Sequence, residues 1–312
     1  MEGMLQENLQ NYGFFRIMLE SLKALSSQKK LFAQLAVALV LPFSIVFLTY
    51  KGVFFVLFSN IISEESTFTE KKLYLFLLAN LACVSILIPL ALFWNAAAIY
   101  AVAFSFSNKP IDFRSVIYSV PKIWKKLAVT YLWIRFFILL FGAVIGGFFF
   151  LLRIGPLSLV VDSIVYGFGA VFAVMVLGIA SVVSVVEDVY GLRSIVRAKK
   201  LMKGKIAVAG GYSFLLVAFI VGNELLEFYF VASILRVNIG LRVLIGVVCV
   251  ALLSLALLVA PVFETILYLV CMSYHEQAVD RRLLSDHLQA YYGHYLHLQD
   301  ASIEMDRNTL AA

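Results

Sequence analysis

Charged residues are scarce in this chain of 312 residues. Asp, Glu, Lys and Arg together fill 14% of the positions, whereas soluble domains carry about 25%. Apolar residues fill 62%, the mean hydropathy is +0.96, and the apolar residues stand in long runs. A water-exposed surface cannot hold such runs. The composition therefore excludes a soluble globular protein and indicates that a bilayer surrounds most of the chain.

Cysteine and the motifs of catalysis are also lacking. Cys83, Cys249 and Cys271 all lie inside apolar segments, and such an odd set predicts neither a disulfide framework nor a metal site. The sequence has no Gly-rich phosphate loop, no H-E-x-x-H, no G-x-S-x-G and no C-x-x-C pattern. His294 and His297 have the spacing of a helical metal pair, but two exposed histidines are the better interpretation. We predict no enzyme, no metal and no cofactor.

Six apolar runs are long enough to cross a bilayer, which takes about 20 helical residues. They are predicted at about 31–58, 73–105, 127–152, 157–186, 206–232 and 241–272. The sequence therefore predicts an all-α membrane protein, a bundle of about six transmembrane helices within residues 31–275. A cytosolic segment (1–30) precedes it, in which apolar residues at three- and four-residue spacing over 5–25 predict an interfacial amphipathic helix. A mixed-charge tail (276–312) follows.

Lys and Arg concentrate on one side of these spans. They stand before the first span and in the loops after the second and fourth, which predicts cytosolic termini in an endomembrane or plasma-membrane protein. The net charge of +6 lies in these short loops and so favours anionic lipid headgroups over nucleic acid. We predict headgroup contacts through Lys122, Trp124, Lys125, Lys126, Lys199, Lys200 and Lys203.

The two basic loops resemble each other. Residues 113–117 (FRSVI) align with 192–196 (LRSIV), and 126–129 (KLAV) align with 205–208 (KIAV) at the same offset. This pattern predicts a duplicated unit of span, amphipathic helix and span, at about 73–152 and 157–232. Chance similarity in an apolar alphabet stays open as the alternative.

Three polar residues are predicted at one level inside the bilayer. Asn95, Arg135 and Glu264 lie about eight to ten residues from the cytosolic ends of their spans, roughly 12–15 Å deep. Pro261 cannot donate a backbone hydrogen bond and would free a carbonyl nearby. Because ionisable groups at this depth are costly, two interpretations arise. Arg135 and Glu264 form an ion pair that fixes helix packing, or the three residues form a site for a proton, an ion or a lipid headgroup.

A second group of charges is predicted near the opposite ends of the spans. Glu224 and Glu227 share a helix face, and Asp162, Arg153 and Arg236 should lie at about their level. We interpret Asp162, Glu224 and Glu227 as an interfacial charge cluster. Acid–base work or cation binding would need a further ligand.

Several short segments carry a resemblance along nearly the whole chain: 41–44 (LPFS), 94–103 (WNAAAIYAVA), 120–127 (VPKIWKKL), 181–191 (SVVSVVEDVYG), 200–205 (KLMKGK) and 286–295 (DHLQAYYGHY). Together they resemble a family of uncharacterised plant multi-pass transmembrane proteins. The resemblance implies a plant source and a six-span endomembrane or plasma-membrane protein. It implies no activity and no catalytic residues.

Two functions are expected from these features. The first is a non-enzymatic membrane scaffold or adaptor, whose interfacial helices contact lipid and whose Tyr-rich tail contacts a cytosolic protein. The alternative is a transporter of a small molecule, lipid or ion through the level of Asn95, Arg135 and Glu264. A polar cavity at that level would favour transport, and an aliphatic filling would favour the scaffold.

Overall fold

The computed structural model describes residues 12–51, 70–105, 113–152, 157–187, 189–227, 229 and 239–275. Over these ranges the chain is helical, without strands. The helices are α1 (Phe14–Ser27), α2 (Lys29–Lys51), α3 (Glu70–Ser105), α4 (Phe113–Leu152), α5 (Leu157–Val186), α6 (Leu192–Leu201), α7 (Ile206–Glu227) and α8 (Ile239–Tyr274). All except α1 and α6 are long and apolar enough to span a membrane, which confirms the predicted all-α bundle.

α1 packs against α8 and α7. Ile17 and Ser21 are fully buried on its inner face, and the Phe14 ring lies 5.8 Å from the ring of Phe263 in α8. Its outer face carries Phe15, which is 85% exposed. The predicted helix at 5–25 is thus described from Phe14 onward, and residues 1–11 lie outside the described part.

α2 contains a π-helical turn, Ala36–Val40, just before Pro42. A π turn widens the helix locally and is a common accompaniment of helix irregularity. The Val40 carbonyl accepts a hydrogen bond from the Ser44 hydroxyl, and Ser254 in α8 donates to the Ser44 oxygen at 2.9 Å. These bonds join α2 to α8 beside the proline.

α4 corrects one of the sequence predictions. The third span was expected to begin at about residue 127, after a basic amphipathic stretch, but α4 is continuous from Phe113 to Leu152. Pro121 lies within it at an exposed position and does not end the helix. The third span and its basic extension are one helix of 40 residues.

The corresponding segment in the second half is broken by two turns. Gly191 (φ 70°) precedes α6, and Gly204 (φ 95°) separates α6 from α7. Both glycines adopt the left-handed region that other residues rarely occupy. The two halves of the predicted repeat therefore differ in shape, and duplication itself stays a prediction.

The packed core lies toward one end of the bundle. Residues Ala96–Phe104 of α3 are nearly all fully buried, as are the last turns of α5 and α8. At this end Lys205 donates to the Tyr12 carbonyl and lies over the Tyr274 ring, while the His275 ring contacts the Leu201 carbonyl. We call it the basic end, and it also contains α1 and α6. α8 is the central helix of the bundle, because it contacts α1, α2, α3, α5, α6 and α7.

Candidate functional site

The candidate site begins with a hydrogen bond between two spans. Asn95 in α3 donates from Nδ2 to the hydroxyl oxygen of Tyr131 in α4 at 2.9 Å, and to the Ala91 carbonyl at 3.1 Å. Because the Tyr131 oxygen accepts from Asn95, its own O–H remains a donor that can point elsewhere. Asn95 lies about ten residues, roughly 15 Å of helix, before α3 ends at Ser105.

Glu264 faces the same region from α8. It lies within electrostatic range of the Tyr131 hydroxyl and of the Tyr212 hydroxyl in α7. A Cβ atom at Gly178 in α5 would come within 2.5 Å of the Glu264 Cδ and 2.6 Å of its Oε1. The Glu264 carboxylate thus lies against the backbone of Gly178, and a larger residue at 178 would displace it. Side chains or backbone from α3, α4, α5, α7 and α8 thus surround one level of the bundle.

The ion pair between Arg135 and Glu264, one of the two interpretations of the sequence, is not present in the described part of the structure. Among the described residues neither side chain has an ion pair or a hydrogen bond. Arg135 is exposed and lies within electrostatic range of the Tyr131 hydroxyl, one helical turn away along α4. Arg135 therefore belongs to the edge of the site and not to its centre.

Two buried features near Glu264 concern hydrogen bonding. The carbonyl of Leu257, which Pro261 leaves without a helical donor, accepts a bond of 2.9 Å from Trp94 Nε1 in α3. The freed carbonyl expected from the sequence thus joins α8 to α3. In contrast, the Tyr212 hydroxyl is buried and has no hydrogen-bond partner among the residues that the structure describes. Tyr212 is 7% exposed, and its ring is stacked on Phe263 at 3.8 Å.

Glu264 itself is surrounded by protein yet keeps some accessible surface. A carboxylate with four or so lone-pair positions and no donor in the described part of the chain is unusual at this depth. The neighbouring Tyr131 and Tyr212 hydroxyls can donate to it or to a bound molecule. The arrangement can bind a group that supplies positive charge or hydrogen-bond donors.

The second predicted cluster is present only in part. Glu224 forms an ion pair with Lys51 of α2, with Nζ and Oε1 3.1 Å apart. Glu227 is only 9% exposed. One turn before it, Asn223 donates a hydrogen bond to the Cys249 carbonyl at 3.4 Å. Asp162 lies in α5, but its side chain is outside the described part, as are Arg153 and Arg236. Lys51, which the sequence analysis did not consider, is the partner that the structure provides.

Another ionic contact, not expected from the sequence, lies at the basic end. The carboxylate of Glu187 accepts from Arg197 Nε in α6 at 2.9 Å and from the Tyr268 hydroxyl in α8 at 2.8 Å. Close to this ionic contact, the buried hydroxyl of Thr130 in α4 contacts two further residues. Its hydroxyl oxygen accepts from the Gly191 backbone N–H at 2.9 Å and lies 2.8 Å from the Ser184 hydroxyl oxygen. These contacts hold α6 against three spans.

The predicted headgroup contacts have different surroundings. Lys122, Lys125, Lys199, Lys200 and Lys203 are exposed, and Lys126 is partly exposed. Lys199 lies over the Phe172 ring at 5.8 Å. Trp124 is half-buried with its ring 5.7 Å from Phe93, so its indole packs on α3. Contact of these residues with lipid stays a prediction.

Tyr131, Tyr212 and Gly178 are the site residues that sequence reasoning missed. Tyrosine is frequent in membrane helices, so neither tyrosine stands out as Glu264 does. One signal was present: Tyr131 lies one turn before Arg135, on the same helix face. In the described part of the chain no group of three or more His, Cys, Asp and Glu residues could hold a metal ion.

The fold and the site together define a multi-pass α-helical membrane protein with a polar site inside its bundle. Comparison with known families assigns it further: the chain belongs to the family described as a domain of unknown function (DUF8558), whose family model matches residues 1–308. No curated protein and no solved structure matches the chain.

Proposed function

We propose that the protein is a membrane carrier that binds a small molecule, a lipid headgroup or an ion at the site of Asn95, Tyr131, Tyr212 and Glu264. The observation that carries this proposal is the carboxylate of Glu264. It lies about ten residues, roughly 15 Å of helix, before α8 ends at Tyr274. It has accessible surface and no ion pair or hydrogen bond within the described ranges.

The charge of the Glu264 carboxylate determines what this residue costs inside the bilayer. An ionised carboxylate inside a bilayer costs several kcal/mol unless a partner compensates it. A purely structural role would be expected to provide that partner, and Arg135 is exposed at the edge of the site instead. The Tyr131 and Tyr212 hydroxyls, from two other helices, lie within electrostatic range of the carboxylate, and Asn95 bonds to Tyr131 from a third helix. A bound proton or a bound molecule is the compensation that fits this arrangement.

The test is the accessibility of position 264 to water. The variant would carry Ser in place of Cys83, Cys249 and Cys271, and Cys in place of Glu264. The full chain in membranes would then be treated with a membrane-impermeant thiol reagent. We expect labelling at 264, because a carrier site must open to an aqueous side. The matched control is Val270→Cys, fully buried two turns along the same helix. Equal absence of labelling at both positions, from either side of the membrane, would contradict the carrier.

The scaffold or adaptor is the second candidate, and α6 is the observation in its favour. Ser194, Ala198 and Leu201 face the bundle, while Arg193 and Lys200 are exposed. A helix with one buried and one basic face is suited to anionic headgroups. An affinity capture of the full chain and of a chain ending at residue 275 compares the two candidates. Identical sets of captured proteins would count against an adaptor role of the tail.

We further propose, from the distribution of Lys and Arg and from the resemblance described above, a plant endomembrane or plasma-membrane protein with cytosolic termini. The basic end would then face the cytosol. No enzymatic step is part of this proposal.

A further inference from the structure

We infer that the ion bound at this site is a proton, held by the Glu264 carboxyl group where it lies against α5. This inference rests on the proposed carrier function and names its ion. The observation behind it is a close contact between two helices. A Cβ atom at Gly178 would lie 2.5 Å from the Glu264 Cδ and 2.6 Å from its Oε1, so the carboxyl group packs directly on the α5 backbone.

Glu264 lies in a closely packed stretch of α8. Every other residue from 261 to 271 is buried, and the neighbours Phe263 and Thr265 are 0% and 1% exposed. Within this stretch Glu264 alone keeps accessible surface. That surface is where a proton can enter or leave, although the residues on both sides along the helix are packed.

The hydroxyl groups next to this contact donate to other acceptors. On α8, Thr265 Oγ1 donates to the Pro261 carbonyl at 2.6 Å. On α5, Ser181 Oγ donates to the Gly178 carbonyl, also at 2.6 Å. Glu264 itself has no hydrogen bond and no ion pair within the described ranges. A carboxyl group takes up a proton when its surroundings do not compensate the ionised form. The neutral acid is therefore the form that this contact stabilises.

Few charged or titratable groups lie near this carboxyl group. α3 and α5 bring none to it, since residues 91–99 and 174–182 contain no titratable side chain. The other helices that pack here bring two tyrosines, neutral at physiological pH, and two exposed arginines: Tyr131 and Arg135 on α4, Tyr212 on α7 and Arg16 on α1. In the described surroundings a proton is thus what compensates the Glu264 charge.

A proton also fits this position better than a metal ion. It needs one oxygen lone pair and no further space. Calcium takes about six to eight oxygen ligands, and in the described part of the chain no group of three or more His, Cys, Asp and Glu residues could hold a metal ion. The α5 backbone also fills one side of the carboxyl group. Release of the proton would leave a charge against this backbone without a donor, so the carboxylate would turn toward water.

Infrared spectroscopy of the full chain in membranes measures this proton, because a protonated carboxyl group absorbs at a higher frequency than a carboxylate. At neutral pH we expect an acid band in the wild type that is lost in Glu264→Gln and kept in Glu20→Gln. Glu20 is the matched control, since it forms a surface ion pair with Lys23 at 2.9 Å. As the pH is raised the Glu264 band should disappear, and it should return when the pH is lowered.

Two infrared results would overturn the inference. The same acid band in the wild type and in Glu264→Gln would show that Glu264 is ionised. A Glu264 band that persists until the protein unfolds at high pH would show a proton that never leaves, which is not a ligand. In either case, labelling at position 264 in the accessibility experiment would still support a carrier with another ligand.

Dicyclohexylcarbodiimide checks the wild type without any substitution. The O–H of a protonated carboxyl group adds across a C=N bond of this apolar reagent, and no group leaves. After treatment of the full chain in membranes at neutral pH, peptide mass spectrometry should find the adduct at Glu264. Glu224, which forms an ion pair with Lys51, should stay unmodified. Equal modification of both residues, or modification of Glu224 alone, would contradict a proton held at Glu264.

Discussion

At the residue scale, Gly178 is the least conspicuous member of the site and one of the most constrained. A Cβ atom there would come within 2.6 Å of Glu264 Oε1, so even alanine would displace the carboxylate. Asn95 and Glu264 were found from the sequence because polar groups are rare in apolar spans. Gly178 was not, since glycine is frequent in membrane helices and only the crossing of α5 with α8 gives this one a role. The position of Arg135 could not be predicted either, because spacing gives depth along a helix but not which neighbour its side chain meets.

We expect Gly178→Ala to be less favourable than Gly211→Ala by about 1 kcal/mol, because the new methyl group forces the Glu264 carboxyl group to move. Gly211→Ala is the matched control. Its Cβ would meet nothing within 4 Å, so replacing this helical glycine should be neutral or stabilising by up to about 1 kcal/mol. Thermal unfolding in detergent measures both. Gly178→Ala should cost much less in a Glu264→Ala background, and an unchanged cost there would show that another contact is responsible.

At the element scale, the six spans were predictable and their ends were not. Apolar runs locate a span because the bilayer core demands them. The predicted third span began only after Lys122, Lys125 and Lys126, which were assigned to an interfacial amphipathic stretch. Lysine is a good helix former, however, and does not stop a helix. α4 therefore continues through them. In the second half, Gly204 aligns with Lys125, and with a φ of 95° it lies in the turn that separates α6 from α7.

The junction between α5 and α6 depends on one hydroxyl group. Thr130→Val should leave the Gly191 backbone N–H without its acceptor and remove the contact with Ser184. The loss of a buried acceptor predicts a destabilisation of about 1–3 kcal/mol. Thr49→Val, at an exposed position of α2, is the control and should be close to neutral. Thermal unfolding of both variants checks this, and equal melting temperatures would show that the Thr130 hydroxyl does not hold α6.

At the scale of the whole molecule, the fold concentrates its packing and its basic charge at the same end. The buried turns of α3, α5 and α8 lie there together with α1 and α6. The polar site lies just beyond this packed region, so α1 and the core cover it from the basic end. Phe14 of α1 contacts Phe263, the residue next to Glu264. A ligand that approaches from the bilayer would therefore meet the site through the side of the bundle, where Arg135 is exposed.

The orientation of the bundle follows from the same distribution of charge, and the two ends of α7 test it. Lys203 and Tyr229 flank this helix and are both exposed. In the chain without native cysteines, Tyr229→Cys should react with an impermeant thiol reagent on the non-cytosolic side. For a plasma-membrane protein the reagent is added to intact cells, and for an endomembrane protein it is added to the lumen of sealed vesicles. Lys203→Cys should react only from the cytosolic side, because basic loops stay there. The reverse pattern would contradict the positive-inside assignment, and labelling of both from one side would contradict α7 as a span.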